Sequence, residues 1–165
     1  MRFVAALILV LTSAVAANAQ GAPTLLERYN AWEAYQYDGG GQKVCYILSK
    51  PTALQPTGVN HGDIFFFIST RPAERVTNEV SILVGYPFDP GSEVTVNVDG
   101  RDFALFTKDD GAWVAATPDE QQLVAAMRSG RAMTVSGRSK RGTNTSYTFS
   151  LSGVTAGTNR IASCS

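Results

Sequence analysis

Residues 94–106 read VTVNVDGRDFALF, two alternating apolar runs hinged at Asp99-Gly100. A two-residue turn with positive φ at both central positions matches the twist of paired strands, and Asp-Gly is one of the few dipeptides that adopts it readily. Such a turn sets Val98 opposite Arg101, Val96 opposite Phe103 and Val94 opposite Leu105. Because side chains alternate along a strand, the apolar ones then share one face. The segment is expected to be an antiparallel hairpin with a single buried face.

Strand signals recur on both sides of it at short spacing, separated by Gly, Pro, Asn and Asp clusters: 32–37, 44–49, 64–70, 80–84, 112–115, 132–137 and 146–151. Tyr147, Phe149 and Leu151 alternate with Thr148 and Ser150, as in a half-buried strand. The run Ile64-Phe65-Phe66-Phe67-Ile68 does not alternate, which predicts a central strand covered on both sides. Many short strands with regular turns point to a sandwich or barrel and away from a βαβ fold. The expected fold is mainly β: an antiparallel β-sandwich or barrel-like domain with one capped α-helix over about 117–129.

That helix has signals at both ends. Thr117 is the expected N-cap, Pro118 the first helical residue, Glu120 the partner in a capping box and Gly130 the stop. Leu123, Val124 and Met127 form its apolar stripe. A second, short C-terminal helix over 156–162 would carry Cys164 toward Cys45, although Gly157 weakens it. The longest loop, 50–62, holds two prolines and His61, which is expected to be solvated there.

The chain starts with Met1-Arg2, continues with the apolar stretch 3–17 and reaches Ala17-Asn18-Ala19 before Gln20. A positive start, an apolar region and a small-residue site are the three parts of a secretory signal peptide, expected to be cleaved after Ala19. At about 15 residues the apolar stretch falls short of the roughly 20 that a membrane-spanning helix needs. Residues 1–19 are therefore read as the leader and 20–165 as one domain, of a size that supports a real core. The expected location is the periplasm, the outer membrane or the medium.

Cys45 and Cys164 are the only cysteines, and in an exported protein such a pair is expected to be oxidised. Two free thiols or a metal site are the alternatives, the latter having only His61 to draw on among histidines. Acidic and basic residues number 14 each, so the overall charge gives no signal for nucleic acid or for an anionic membrane. The distribution is uneven. Every acidic residue lies at or before Glu120, while Arg128, Arg131, Arg138, Lys140, Arg141 and Arg160 follow it. Such asymmetry marks either a surface for an acidic partner or two halves that neutralise each other in the fold.

No catalytic set is recognisable. A Ser-His-Asp arrangement would need His61 as its base, and the chain contains no nucleophile elbow. Asp109-Asp110 and Asp119-Glu120 have local explanations in a turn and in the first turn of the helix. Phosphate-binding and dinucleotide fingerprints are absent, so no cofactor and no metal is expected. Trp32, Tyr35, Tyr37, Tyr46, Trp113 and Tyr147 could form a ligand platform, but strand aromatics more often pack the core.

Residues 80–89 (VSILVGYPFD), 94–106 (VTVNVDGRDFALF), Trp113, 123–133 (LVAAMRSGRAM) and 136–151 (SGRSKRGTNTSYTFSL), ending at Cys164, resemble the invasion-associated locus B family. The resemblance covers most of the chain after the leader, from Trp32 and the Lys43-Val44-Cys45-Tyr46 segment onward. It implies an exported alphaproteobacterial protein, periplasmic or associated with the outer membrane, from a family linked to host-cell entry in invasive pathogens. It brings no reaction, cofactor or catalytic residues with it.

The functional expectation is a non-enzymatic envelope or secreted domain that binds a protein or an anionic surface polymer, with no nucleic-acid partner and no membrane span. A carboxylate-based envelope hydrolase and a purely structural periplasmic protein are the alternatives. The candidate binding residues are Arg138, Lys140 and Arg141, on a turn between two alternating strands that should form an exposed hairpin end. Arginine offers planar, bidentate contacts to carboxylate or phosphate, and lysine a point charge.

Overall fold

The structure is a computed structural model that describes residues 21–164; the expected leader, 1–19, lies outside the described residues. Eleven strands follow in chain order: β1 (Thr24–Tyr29), β2 (Trp32–Gly39), β3 (Gln42–Ser49), β4 (Ala53–Gln55), β5 (Phe65–Arg71), β6 (Val76–Leu83), β7 (Glu93–Val98), β8 (Arg101–Lys108), β9 (Gly111–Trp113), β10 (Ala132–Arg138) and β11 (Asn144–Ser150). Two helices complete the chain, α1 (Thr117–Ser129) between β9 and β10 and α2 (Val154–Ala162) after β11.

All strands join one antiparallel sheet in the order β1-β2-β3-β5-β6-β9-β8-β7-β10-β11-β4. It is not a closed barrel. The sheet folds over itself as a sandwich does, with short β9 as the hinge because it pairs with both β6 and β8. The two halves meet where Trp32 on β2 donates its indole N–H to the Ser150 carbonyl at 3.0 Å. The Phe66 and Phe149 rings also face each other there, 5.6 Å apart. β4 crosses from the first half to pair with β11 at the edge of the second.

The Asp99-Gly100 hairpin forms in the expected register, Val98 with Arg101, Val96 with Phe103 and Val94 with Leu105. Both turn residues have positive φ, 48° and 88°. Val94, Val96, Val98, Phe103 and Leu105 are all buried. They join Met133 and Val135 of β10 and Tyr147 and Phe149 of β11 in one core with Ile47, Phe66, Ile68, Val80 and Ile82 of the other half.

Three expectations change. β5 is central, between β3 and β6, but the apolar run 64–68 is not covered on both sides: Ile64, Phe66 and Ile68 are buried, while Phe65 and Phe67 lie half-buried on the opposite face. The N-cap of α1 is Ala116, with extended backbone, and Thr117 is its first residue. The expected capping box does not form, because the Glu120 carboxylate instead accepts a 2.7 Å bond from the Val80 N–H. β9 ends at Trp113 opposite Ser81, so that N–H lacks a strand partner and the carboxylate supplies one. Finally, α2 begins two residues earlier than expected, and Gly157 is what lets it approach β3: a Cβ there would lie 3.0 Å from Ile47 Cγ2.

α2 brings Cys164 to Cys45 on β3, and the two are joined, with Cα atoms 5.9 Å apart and 119 positions between them in the chain. Among the described residues no helix is long and apolar enough to cross a membrane.

Candidate functional site

The β10–β11 hairpin ends in the turn Ser139-Lys140-Arg141-Gly142-Thr143, and its backbone is held from below. Ser139 N–H bonds the Thr143 carbonyl at 2.9 Å, Gly142 N–H the Ser139 carbonyl at 2.7 Å, and Lys140 N–H the Pro87 carbonyl at 2.9 Å. Gly142 has φ 86°, which glycine adopts without strain. Ser139 is buried, whereas Arg138, Lys140 and Arg141 are exposed.

Arg138 and Arg141 border different depressions. Arg138 reaches Asp89 at 3.4 Å and borders a shallow depression with Gln55 and Glu93. Arg141 borders a different cleft of about 370 Å³, with Asn60, His61 and Tyr86 on its walls and no acidic residue. Among the described residues, Arg138 is the one of the six C-terminal basic residues that makes an ion pair. Neutralisation of the two sequence halves by direct pairing is thus confined to that contact.

Beneath the Arg141 cleft lies a polar network. His61 is buried, contrary to its expected exposure. Its Nε2 is 2.9 Å from the Pro56 carbonyl, which can only accept, so Nε2 carries the proton. In the neutral ring Nδ1 then accepts from the Tyr147 hydroxyl at 3.0 Å. Tyr147 in turn accepts from the Tyr86 hydroxyl at 2.7 Å, and Tyr86 also lies 2.7 Å from Thr145 Oγ1. Burial pushes the Tyr147 phenol up from its ordinary value, in the direction expected of a neutral hydroxyl relay. Every member has a partner, so the network fixes Tyr86 and the floor of the cleft.

A larger depression lies on the outer face of the sheet. Two clefts, about 850 and 280 Å³, share Glu79 and Trp113 and run along β6. Phe67 on β5, Ser81 on β6, Trp113 on β9 and Phe106 on β8 stand in register across four strands. The Trp113 and Phe106 rings are 6.0 Å apart and tilted by 31°. A Cβ on Gly111 would overlap the Trp113 indole, so glycine there makes room for the outer end of the ring. Tyr46 packs against Phe67 at 5.9 Å and stacks on Tyr35 at 5.4 Å. Of the aromatic residues considered from sequence, Trp32 and Tyr147 belong to the core, while Tyr35, Tyr46 and Trp113 face outward.

Carboxylates flank the same depression. Both oxygens of Glu79 accept from the Arg71 guanidinium, at 2.7 and 2.8 Å, and this fork holds its carboxyl below the usual range. Burial raises the Glu120 carboxyl, partly opposed by the bond from Val80 N–H. The two environments thus push neighbouring carboxyls in opposite directions. Both groups are nonetheless engaged by protein partners. Among the described residues no group of three His, Cys, Asp or Glu side chains is placed to hold a metal ion.

A family model described as Invasion associated locus B (IalB) protein matches residues 32–162, most of the chain. No curated protein and no solved structure matches it.

Proposed function

The chain belongs to the invasion associated locus B protein family, and we propose that it works as a non-enzymatic binding domain of the envelope or the secreted fraction. It engages a protein or an anionic surface polymer through the end of the β10–β11 hairpin. The observation that supports this reading is a pinned turn presenting exposed charge: its backbone is bonded to the Pro87 loop, while Lys140 and Arg141 stay exposed with no ion-pair partner among the described residues. A rigid turn loses little entropy on binding, and exposed arginine suits planar anionic groups. A disulfide-closed fold is consistent with a life outside the cytoplasm, and export by a cleaved leader belongs to the same proposal.

The carboxylate-based hydrolase draws support from Glu79 and Glu120 bordering one cleft. It is the weaker reading, since Glu79 is locked in the Arg71 fork and Glu120 is spent on a backbone N–H.

A triple variant, Arg138→Ala with Lys140→Ala and Arg141→Ala, tests the binding reading. Its melting temperature should match the wild type, because exposed substitutions of this kind change stability by about 0.5 kcal/mol or less. Wild-type protein should be retained on immobilised anionic polymer, most strongly at low salt where screening is weakest, and the variant should not. Equal retention of both at low salt would remove the hairpin end from consideration.

A further inference from the structure

The walls of the Arg141 cleft are both tied to one connecting segment, 85–87. The first wall, 59–62, meets it where two glycines cross. A Cβ on Gly85 would lie 2.5 Å from Gly62 Cα, and Gly85 N–H bonds the His61 carbonyl at 3.2 Å. The second wall, the turn 139–143, is held by Lys140 N–H on the Pro87 carbonyl at 2.9 Å. Tyr86 lines the same cleft, and its hydroxyl is bonded to both Thr145 and Tyr147. A cleft fixed in this way is organised before a ligand arrives, so little ordering is lost on binding.

Its lining holds hydrogen-bond donors that the protein leaves unused. Asn60 Oδ1 accepts from Gly62 N–H at 2.9 Å, which orients the amide and leaves both Nδ2 protons without an acceptor among the described residues. Ser139 is 6% exposed, and its Oγ accepts from Thr143 N–H at 3.1 Å, yet its own proton meets no acceptor among the described residues. The Thr143 hydroxyl is likewise unbonded among the described residues. A nearly buried hydroxyl proton is costly to leave unmet, so water or a ligand has to supply the acceptor.

The charge of the lining is equally simple. Both ring nitrogens of His61 are taken, and Arg141 is the one lysine, arginine, aspartate or glutamate that borders the cleft.

We propose that this cleft is a binding site for a sugar acid, a polyhydroxylated ring carrying one carboxylate. It rests on the reading of the hairpin end as a binding surface, and names the group recognised there. The carboxylate belongs to Arg141: two coplanar oxygens match the guanidinium fork, and one negative charge balances one positive. A phosphate monoester carries close to two charges, and no second cation borders the cleft to meet them. The ring hydroxyls belong to Asn60, Ser139 and Thr143, each of which then has an oxygen to bond. An acidic side chain of a protein brings its carboxylate on an apolar stem and leaves most of those donors unmet. At about 370 Å³ the cleft suits a small molecule or a single unit of a chain.

The test is NMR titration of the mature protein with sodium galacturonate and with polygalacturonate, against galactose, dextran sulfate and polyglutamate. Amide resonances of 60–62 and 139–143 should shift saturably with galacturonate or its polymer and not with galactose. A response to the polymer alone assigns the site to a chain, and a response to the monomer assigns it to the free acid as well. Arg141→Ala should weaken binding by about tenfold or more, the size of a lost charge-assisted hydrogen bond. Thr143→Val keeps the side-chain shape and removes one hydroxyl, and should weaken binding by about two- to tenfold at unchanged melting temperature. Arg138→Ala, at a residue that pairs with Asp89 and borders the other depression, should change it far less.

Galactose or dextran sulfate moving these amides as strongly as galacturonate overturns the proposal. Polyglutamate doing so overturns it too, because the partner would then be an acidic protein. So does a loss in Arg138→Ala equal to that in Arg141→Ala. If wild type is retained on immobilised anionic polymer and none of these amides moves, the sugar-acid site is wrong and the hairpin reading stands. If it is not retained and no amide moves, both fall.

Discussion

Cys45→Ser is expected to lower the melting temperature by roughly 10 °C or more, with the secondary structure intact below the transition. The bridge spans 119 positions, nearly the whole described domain. In the chain-entropy model a loop of that length contributes about 4–5 kcal/mol by restricting the unfolded chain. Each kcal/mol is worth about 2–4 °C in a domain near this size. α2 keeps its own anchors, Val154, Thr158 and Ile161 all being buried, so the helix should remain docked in the folded state. Calorimetry of wild type and variant, with and without reductant, checks this. Reductant should reproduce the variant's loss in the wild type and change nothing further in the variant. A shift of only a degree or two would mean that the bridge contributes little, and two titratable thiols in the denatured, unreduced wild type would show that it does not form.

Trp32→Ala is expected to cost about 3–5 kcal/mol, as large-to-small changes at fully buried aromatic positions do. Trp32 has no exposed surface, meets Phe66 edge-on at 6.3 Å and bonds the Ser150 carbonyl through its indole N–H. It therefore links β2 to the end of β11, two strands near opposite ends of the sheet order. Its removal leaves a cavity and an unpaired carbonyl at the closure between the halves. Trp32→Phe refills most of the volume but not the hydrogen bond, and should cost about 1–2 kcal/mol. Urea unfolding at equilibrium measures both. A loss below about 1 kcal/mol for Trp32→Ala would mean that the closure rests on other contacts.

The parts of the fold readable in sequence are those with local causes. The Asp99-Gly100 turn determines its own register, because positive φ at two adjacent residues leaves few ways to pair the flanking strands. α1 was likewise legible from Pro118, Gly130 and the stripe of Leu123, Val124 and Met127. Features that depend on distant partners were not. β4 is three residues in a proline-rich stretch, and becomes a strand only by pairing with β11. His61 is buried because Tyr147, 86 positions away, offers it a hydroxyl. Glu120 leaves its expected capping role for Val80, whose N–H is free only because β9 stops at Trp113.

The candidate site divides along the same line. The hairpin end carrying Lys140 and Arg141 was visible as a turn between alternating strands, and the structure places it there. That Arg138 and Arg141 border different depressions was not visible, since it depends on Asp89 and on the loop holding Asn60 and His61. The outer aromatic face was harder still. An unbroken apolar run such as 64–68 says nothing about whether its second face is covered. Phe67 and Phe106 gain meaning only when Ser81 and Trp113 come into register between them. A sequence signal did exist: Gly111-Ala112-Trp113 places a glycine two residues before a tryptophan, on the same face of one strand.

The most direct measurement of the central claim, that this domain acts by binding outside the cytoplasm, is site-specific photocrosslinking in intact producing cells. A photoreactive residue replaces Lys140 in one strain and Thr134, on the hydroxyl-coated part of the outer face, in another. The account predicts a discrete adduct of an envelope protein or polymer from position 140, abolished when Arg141→Ala is added, and none from position 134. No adduct at 140, or the same adducts from both positions, would contradict it.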